Sequence, residues 1–228
     1  MDGDDPPDGT DAFDTGRPGA SARAEYARRR ARDLARGRAA FGVLAPLVYA
    51  LAGPRKSTEA WARGAEGEER VGRYLERVVG ASGHVLHDRS VPRRQVNLDH
   101  VVVVPSGVWV VDTKHYHGRL QRRKVGGWIS QRSALSVGRR DQSRSLRAAR
   151  AQRVLVEQAL GGTAQVRVAL CFTGVELTFF ARPFACEGVL VTWPKALGKA
   201  LAAPGPLDAG ACAALAGHLA RAFPPYAR

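Results

Sequence analysis

The sequence predicts an α/β protein in which a mixed β-sheet is flanked by helices. Apolar residues recur at helical spacing in 57–79 and again in 141–160. Short runs rich in valine and other β-branched residues lie between these segments and after them. The resulting order of helix, strands, helix and strands, closed by two Ala/Leu-rich segments, is typical of helices packed on a mixed sheet.

The individual elements follow from local patterns. In the first helix, an apolar stripe is formed by Trp61, Ala65, Gly72, Leu75 and Val79. The segments predicted as strands are 84–86, 96–104, 108–113, 165–172, 175–180 and 188–192. The closing helices are predicted at 194–202 and 207–222. With 228 residues, 45% of them hydrophobic, the chain has enough apolar residues for one main globular domain.

The domain organisation is predicted from changes in composition. An acidic tail at 1–22, rich in Asp, Gly and Pro, is expected to be disordered. A basic and then apolar helical segment follows at 23–56, the main domain spans 57–193, and the helices of 194–228 are expected to pack on its core. The apolar run at 39–52 is shorter than the roughly twenty residues of a spanning helix, so it predicts a docked or interfacial helix, with membrane attachment as the alternative.

The charge balance points to a polyanionic partner. The formal net charge is +14, although the first sixteen residues contain six aspartates and no Lys or Arg. Nucleic acid is the expected partner, and a solvated surface of an arginine-rich protein is the alternative. The three cysteines form no CxxC pair, so they are interpreted as reduced core thiols of a cytoplasmic protein. The acidic N-terminus fits neither a secretory signal nor a transit peptide.

A hairpin at 97–114 carries the candidate chemistry. If its turn spans Pro105 and Ser106, Asp99 pairs directly with Asp112, and two facing carboxylates repel unless a cation lies between them. Hard oxygen ligands suit Mg²⁺ or Mn²⁺. Lys114 would then orient or deprotonate a water, or stabilise charge on phosphorus. The alternative is a salt-bridged hairpin without metal, with Asp99 paired to Lys114.

Two polar residues elsewhere are predicted to face inward. Glu68 shares the apolar stripe of its helix, and an inward carboxylate needs a partner. A buried pair with an arginine is the alternative for Glu68. Gln142 shares a helical face with Leu146, Ala149 and Val156, where it would hold a nucleotide or a water. For Gln142 the alternative is an exposed position in the first helical turn.

Together these residues resemble the nuclease-related domain (NERD) family. The residues that carry the resemblance are Gly64, Gly67, Glu68, Asn97, Leu98, Asp99, His100, Val101 to Val104, Pro105, Gly107, Asp112, Lys114, Tyr116 and Gly118. The family more often has Glu at the position of Asp112. The resemblance covers about 61–160 and implies a PD-(D/E)XK nuclease-like, restriction-endonuclease-like core that binds Mg²⁺. It implies that Glu68, Asp99 and Asp112 are metal ligands, Lys114 the catalytic lysine and Gln142 the second-helix glutamine.

Basic and aromatic residues after the hairpin are typical of a track along a nucleic-acid backbone. The candidate contacts are Arg119, Arg122, Arg123, Lys124, Arg140, Arg144, Tyr116 and Trp128. The alternative is a solvated loop and helix face. The predicted function is therefore a Mg²⁺-dependent or Mn²⁺-dependent nuclease that cuts DNA with little sequence specificity, either alone or as a homodimer. The competing hypotheses are a non-catalytic module that binds DNA or RNA and a membrane-peripheral protein.

Overall fold

A computed structural model describes residues 13–41, 56–125, 132–178 and 180–227. Its helices are α1 Ala20–Phe41, α2 Lys56–Val79, α3 Ser143–Leu160, α4 Pro194–Leu201 and α5 Ala209–Ala222, with a short 3₁₀ helix at Gly80–Ser82. Its strands are β1 His84–Ser90, β2 Asn97–Val104, β3 Gly107–Val125, β4 Arg132–Val137, β5 Arg140–Asp141, β6 Val166–Glu176, β7 Phe184–Cys186 and β8 Val189–Thr192.

The strands form one mixed sheet. Its main path runs β1-β2-β3-β6-β8-β7, and β4 and β5 branch from the distal half of β3. The strands β1, β2 and β3 form an antiparallel meander, whereas β3, β6 and β8 are parallel to one another. The crossover from β3 to the parallel strand β6 contains α3, as parallel connections require. The predicted mixed sheet flanked by helices is confirmed.

Helices cover the sheet on both faces, which explains why the central strands have apolar runs without alternation. All four valines of Val101–Val104 are at most 1% exposed. Val101 and Val103 pack in the cluster that contains the apolar residues of α3 and α5. Val102 and Val104 pack in the cluster of α2 and α4. A strand buried on both faces reads as continuously hydrophobic, and VVVV is such a run.

The strands beyond the meander differ from the sequence-based expectation. The structure continues β3 to Val125, well past the expected end at 113, because the charged segment 120–125 pairs with β4. The strand expected at 165–172 continues in β6 through Gly174, at φ +74°, to Glu176, so only the first two residues of the strand expected at 175–180 belong to a strand. Pairing across a register shift between His115 and Gly118 of β3 makes this continuity possible.

The N-terminal segment also differs. The sequence places 1–22 in a disordered tail, but residues 13–22 pack against the domain, while 1–12 lie outside the described residues. Thr15 accepts a backbone hydrogen bond from His87 of β1 at 2.7 Å, and Ala22 is 7% exposed. Backbone hydrogen bonds and isolated apolar contacts, such as that of Phe13 with the core, account for this ordering, and neither leaves a periodic pattern in the sequence. The described part of the basic segment forms α1, while most of the apolar run at 39–52 lies outside the described residues.

A buried arginine joins both ends of the described chain to the sheet. Arg89 of β1 is 1% exposed, and its guanidinium donates to the carbonyl oxygens of Phe223 at 2.6 Å, Asp14 at 2.7 Å and Ala220 at 2.9 Å. The side chain donates in several directions from one planar group, as only arginine can. Among the described residues, no helix has the length and apolarity needed to cross a membrane.

Close packing of α2 on the N-terminal segment gives a test of this docking. A Cβ at Gly72 would lie 2.5 Å from Cβ and 2.9 Å from Cγ of Pro18, so Gly72→Ala must displace that segment. We expect this variant to lower the free energy of unfolding by about 1–3 kcal/mol in urea denaturation.

Gly64 of the same helix is the matched control, because a Cβ there would meet nothing within 4 Å. Gly64→Ala should raise the free energy of unfolding by about 0.5–1 kcal/mol through helix propensity alone. Equal stability of the two variants would contradict the docking of Pro18 on α2.

Candidate active site

The β2–β3 hairpin brings the two predicted aspartates together. Val104 pairs with Gly107 across a turn of Pro105 and Ser106, and the register continues to His100 opposite Val111. Asp99 and Asp112 are the next residues in that register. The backbone N–H of Thr113 donates to Asp99 Oδ2 at 2.8 Å, which joins the two strands at this level. The turn predicted from the sequence is therefore the one observed.

Lys114 pairs with Asp112. Its Nζ lies 2.8 Å from both Oδ1 and Oδ2 of Asp112, whose side chain is 6% exposed. Burial opposes the charged lysine, but the Asp112 and Asp99 carboxylates prevail and raise the pKa of Lys114 above its usual range. Lys114 is therefore a cation at neutral pH. The salt-bridge alternative named Asp99 as its partner, whereas the structure pairs Lys114 with Asp112.

Glu68 approaches the same place from α2. It is 8% exposed, as its place on the apolar stripe predicts, and its Oε1 accepts a hydrogen bond from the backbone N–H of Gly19 at 3.1 Å. The neighbouring Gly67 lets α2 approach the sheet, since a Cβ there would lie 3.2 Å from His115 and Thr173. Burial raises the pKa of Glu68 to about 10, with repulsion from Asp99 and Asp88 adding to it.

Asp99 lies at the wall of a cavity beside this cluster. Burial raises the pKa of its carboxyl to about 7, and repulsion by Asp112 acts in the same direction. The Lys114 charge and the Thr113 hydrogen bond oppose this rise but do not cancel it. One lysine thus faces several acids, and the site has an excess of potential negative charge.

Asp88 is a further acid at this site, and the sequence analysis missed it. The pairs His87 with His100 and Arg89 with Leu98 leave Asp88 opposite Asp99 in the β1–β2 register. The strand prediction ended at 86, before this residue. The apolar residues Val85 and Leu86 before it and Val91 after it were the available signal for a longer strand.

Local contacts hold Asp88 in its place. It is 1% exposed, at φ +46°, a left-handed conformation that Asp tolerates better than most residues. Its carboxylate accepts hydrogen bonds from the backbone N–H of Ser21 and, at 3.2 Å, from Nδ2 of Asn97. Burial raises the pKa of Asp88, while these hydrogen bonds lower it. Asp88 therefore ties the first turn of α1 to the acidic cluster.

Two of the acids, Glu68 and Asp99, line a cavity of about 950 Å³. Glu68, Asp99, Thr113 and Lys114 line its inner part. The remaining walls come from the start of α1, the connection between β1 and β2, and the C-terminal segment, with Ser21, Ala22, Glu25, Arg28, Gly64, Ser90, Arg94, Gln95, Asn97 and Tyr226. The cavity therefore gives solvent and ligands access to a cluster that is otherwise buried.

Residues 63–173 match the model of the family described as the nuclease-related domain. The matched residues are similar to that family. The match covers just under half of the chain and includes most of α2, the meander, α3 and most of β6, so it includes every acid of the cluster. No curated protein and no solved structure matches the chain. The family description indicates a nuclease-related function.

Two carboxylates in the matched region are suitable ligands for a hard divalent cation. Mg²⁺ usually keeps several waters and takes one or two carboxylates, which Asp99 and Asp112 can supply. Oδ2 of Asp112 is buried and accepts no hydrogen bond from the described residues, although it lies 2.8 Å from Lys114 Nζ. Within those residues, no group of three or more His, Cys, Asp and Glu side chains is close enough to hold one ion. The Glu68 carboxylate accepts a hydrogen bond from the backbone N–H of Gly19 and does not complete such a group with the two aspartates.

Gln142 lies away from the cavity, and another glutamine of the second helix, Gln152, contacts β2. Gln142 is buried, but it precedes α3, where its Oε1 accepts from Oγ of Ser145 at 3.0 Å, and it does not line the cavity. Gln152, three helical turns on, is 7% exposed and donates through Nε2 to the carbonyl of Asn97 at 3.3 Å. Gln152 therefore contacts β2 next to the cluster. It lies ten residues after Gln142 on the same buried face of the helix.

The predicted basic track lies apart from the cavity. Arg119, Arg122, Arg140, Arg144 and Tyr116 do not line the cavity. Arg140 lies over the Tyr116 ring at 5.8 Å and Arg122 over the Phe184 ring at 5.5 Å. Trp128 and the side chains of Arg123 and Lys124 lie outside the described part of the chain. These cation–π contacts place a basic, aromatic surface along the distal half of β3.

The raised carboxyl pKa values predict a pH-dependent stability of the metal-free protein. Asp99 titrates at about 7 in the folded protein against a reference value of 3.8, so folding is favoured below pH 4 and loses stability as the pH rises towards 7. This contribution is at most about 4 kcal/mol. Urea denaturation between pH 4 and pH 8 should show a smaller loss for Asp99→Asn than for the wild type.

The same experiment has an internal check. Added Mg²⁺ should restore stability at pH 8 in the wild type and less so in Asp99→Asn, because a bound cation favours the ionised carboxylate. An identical pH dependence of wild type and variant would show that Asp99 does not have the raised pKa.

Proposed function

We propose that this protein is a metal-dependent nuclease that hydrolyses phosphodiesters of DNA with little sequence preference. One observation carries the proposal: Asp99 of β2, Glu68 of α2 and Lys114 of β3 line one open cavity within the region that matches the nuclease-related domain, and Lys114 pairs there with Asp112. Such a cluster does not by itself stabilise the fold, because burying several carboxylates costs free energy.

The side chains suggest separate roles. Asp99 and Asp112 would hold Mg²⁺ or Mn²⁺, and Glu68, whose raised pKa keeps it protonated at neutral pH until a cation binds, would lie beside them. The ion, when bound, would lower the pKa of a bound water and screen the phosphate. Because Asp112 and Asp99 keep Lys114 protonated, it would position the water and stabilise charge on the phosphate as a donor, not as the base.

The first test is cleavage of plasmid and single-stranded DNA with Mg²⁺ or Mn²⁺ and with EDTA. We expect cleavage only with metal, and a loss of at least about 100-fold in rate for Asp99→Asn and for Lys114→Met. These substitutions remove the ligand charge and the donor without a large change of volume.

Matched controls replace an exposed acid and an exposed lysine that do not line the cavity. Glu66→Gln changes an exposed acid two residues before Glu68, and Lys199→Met removes an exposed lysine of α4. Both should cleave at the wild-type rate. Wild-type protein without cleavage under any of these conditions, or Asp99→Asn with full activity, would refute the catalytic proposal.

A second candidate is a non-catalytic module that binds nucleic acid. It is favoured by the ion pair of Asp112 with Lys114 and by the net charge of +14. In that protein the acids would serve the fold, and affinity would come from phosphate contacts.

The two candidates predict different metal dependence of binding. A non-catalytic module should bind oligonucleotides with a steep decrease in affinity as salt increases, at the same affinity in EDTA and Mg²⁺, and unchanged in Asp99→Asn. Fluorescence anisotropy of a labelled oligonucleotide measures all three. Binding that requires Mg²⁺ would exclude this candidate.

A further inference from the structure

The walls of the acidic cavity come in part from segments outside the nuclease-related domain. The family match begins at residue 63 and ends at 173, whereas α1 and Tyr226 lie beyond it on either side. Ser21, Glu25 and Arg28 of α1 line the cavity together with Tyr226. A surface at the mouth of the site is therefore built by parts of the chain to which the family assigns no role.

Arg28 and Tyr226 are linked to each other across this mouth. Arg28 Nη1 donates to the Tyr226 hydroxyl at 3.2 Å, and the backbone N–H of Tyr226 donates to the carbonyl of Asp88 at 2.8 Å. The Arg28 side chain is 53% exposed, so it can contact a ligand while it keeps this link. Tyr226 presents an aromatic ring at the same place, and bases stack on such rings.

The charge at the mouth of the cavity is opposite in sign to that of its floor, which is formed by Glu68 and Asp99. Glu25 forms ion pairs with both Arg28, at 2.9 Å, and Arg29, at 2.7 Å, so one acid is shared by two arginines. Across the cavity, Arg94 is exposed on the connection between β1 and β2, where its backbone N–H donates to the carbonyl of Val91. The mouth is therefore basic while the floor is acidic.

We propose that Arg28, Arg94 and Tyr226 form a binding surface for single-stranded nucleic acid at the mouth of the acidic cavity. The arginines bind phosphates on either side of the one that reaches the acids, and Tyr226 stacks on a base. This inference rests on the proposed nuclease function and names the form of its substrate. The surface is separate from the track of Arg119, Arg122, Arg140 and Arg144.

The shape of the site selects a single strand. Glu68 and Asp112 are 8% and 4% exposed, and a cavity of about 950 Å³ has the size of a small-ligand pocket. α1, the β1–β2 connection and the C-terminal segment wall it on several sides. A flexible single strand can bend one phosphate into such a cavity, whereas a duplex is a stiff rod whose phosphates stay on its outer surface.

The test uses the full chain and fluorescence anisotropy of a labelled single-stranded oligonucleotide in EDTA, so that binding is measured without cleavage. We expect Arg28→Gln and Arg94→Gln each to raise the Kd about five-fold at 0.1 M salt and to reduce its salt dependence. Tyr226→Ala should raise the Kd about ten-fold, whereas Tyr226→Phe should bind like the wild type. The duplex of the same sequence should bind more weakly.

Each of the two arginines has a control arginine on the same segment of the chain. Arg36 is exposed two turns further along α1, and Arg93 is exposed next to Arg94, and neither lines the cavity. Arg36→Gln and Arg93→Gln should change the Kd by less than about two-fold, although they remove the same charge. If the cavity variants behave like these controls, or if the duplex binds as tightly as the single strand, the inference is wrong.

Cleavage separates this inference from the proposed function. Binding that depends on Arg28 and Arg94 in a protein that never cleaves would support the surface and refute catalysis. Metal-dependent cleavage that is unchanged in both variants would support catalysis and overturn the surface.

Discussion

The turn at Pro105 and Ser106 holds β2 and β3 in register, and both the core and the acidic site depend on that register. Side chains alternate between the faces of a sheet, so a slip by one residue would exchange the two buried faces of the valine run. It would also separate Asp99 from its place opposite Asp112. The hydrophobic packing of Val101–Val104 between two helical layers thus fixes the position of the carboxylates, although it makes no contact with a ligand.

The acidic cluster is tolerated because other groups reduce its charge. Lys114 pairs with Asp112, the N–H of Gly19 binds Glu68, and the N–H of Ser21 binds Asp88. The two N–H groups belong to the start of α1 and the residue before it, where a helix carries partial positive charge. The N-terminal segment is therefore an electrostatic part of the site, and the mouth of the cavity is formed by the same helix that reduces the charge of its floor.

The sequence was sufficient for those features that are local. The hairpin turn, the inward position of Glu68 and the helix at 57–79 follow from periodicity and turn residues, and the structure agrees with them. The features it did not reveal depend on partners far away in the chain. Asp88 contacts Ser21, and Gln152 contacts Asn97. Residues 13–22 are ordered by backbone hydrogen bonds and by isolated apolar contacts with distant elements. The strand pairing of 120–125 likewise required β4, which no local pattern indicated.

Arg89 and Arg28 join segments that are far apart in the chain, since Arg28 contacts a residue 198 positions away and Arg89 contacts residues more than 130 positions away. Contacts of such long range close large loops of the chain, so they form only after the elements that they join are in place. The acids are thus held by strands that are neighbours in the sequence, whereas the wall that covers them is closed by contacts between distant parts of the chain.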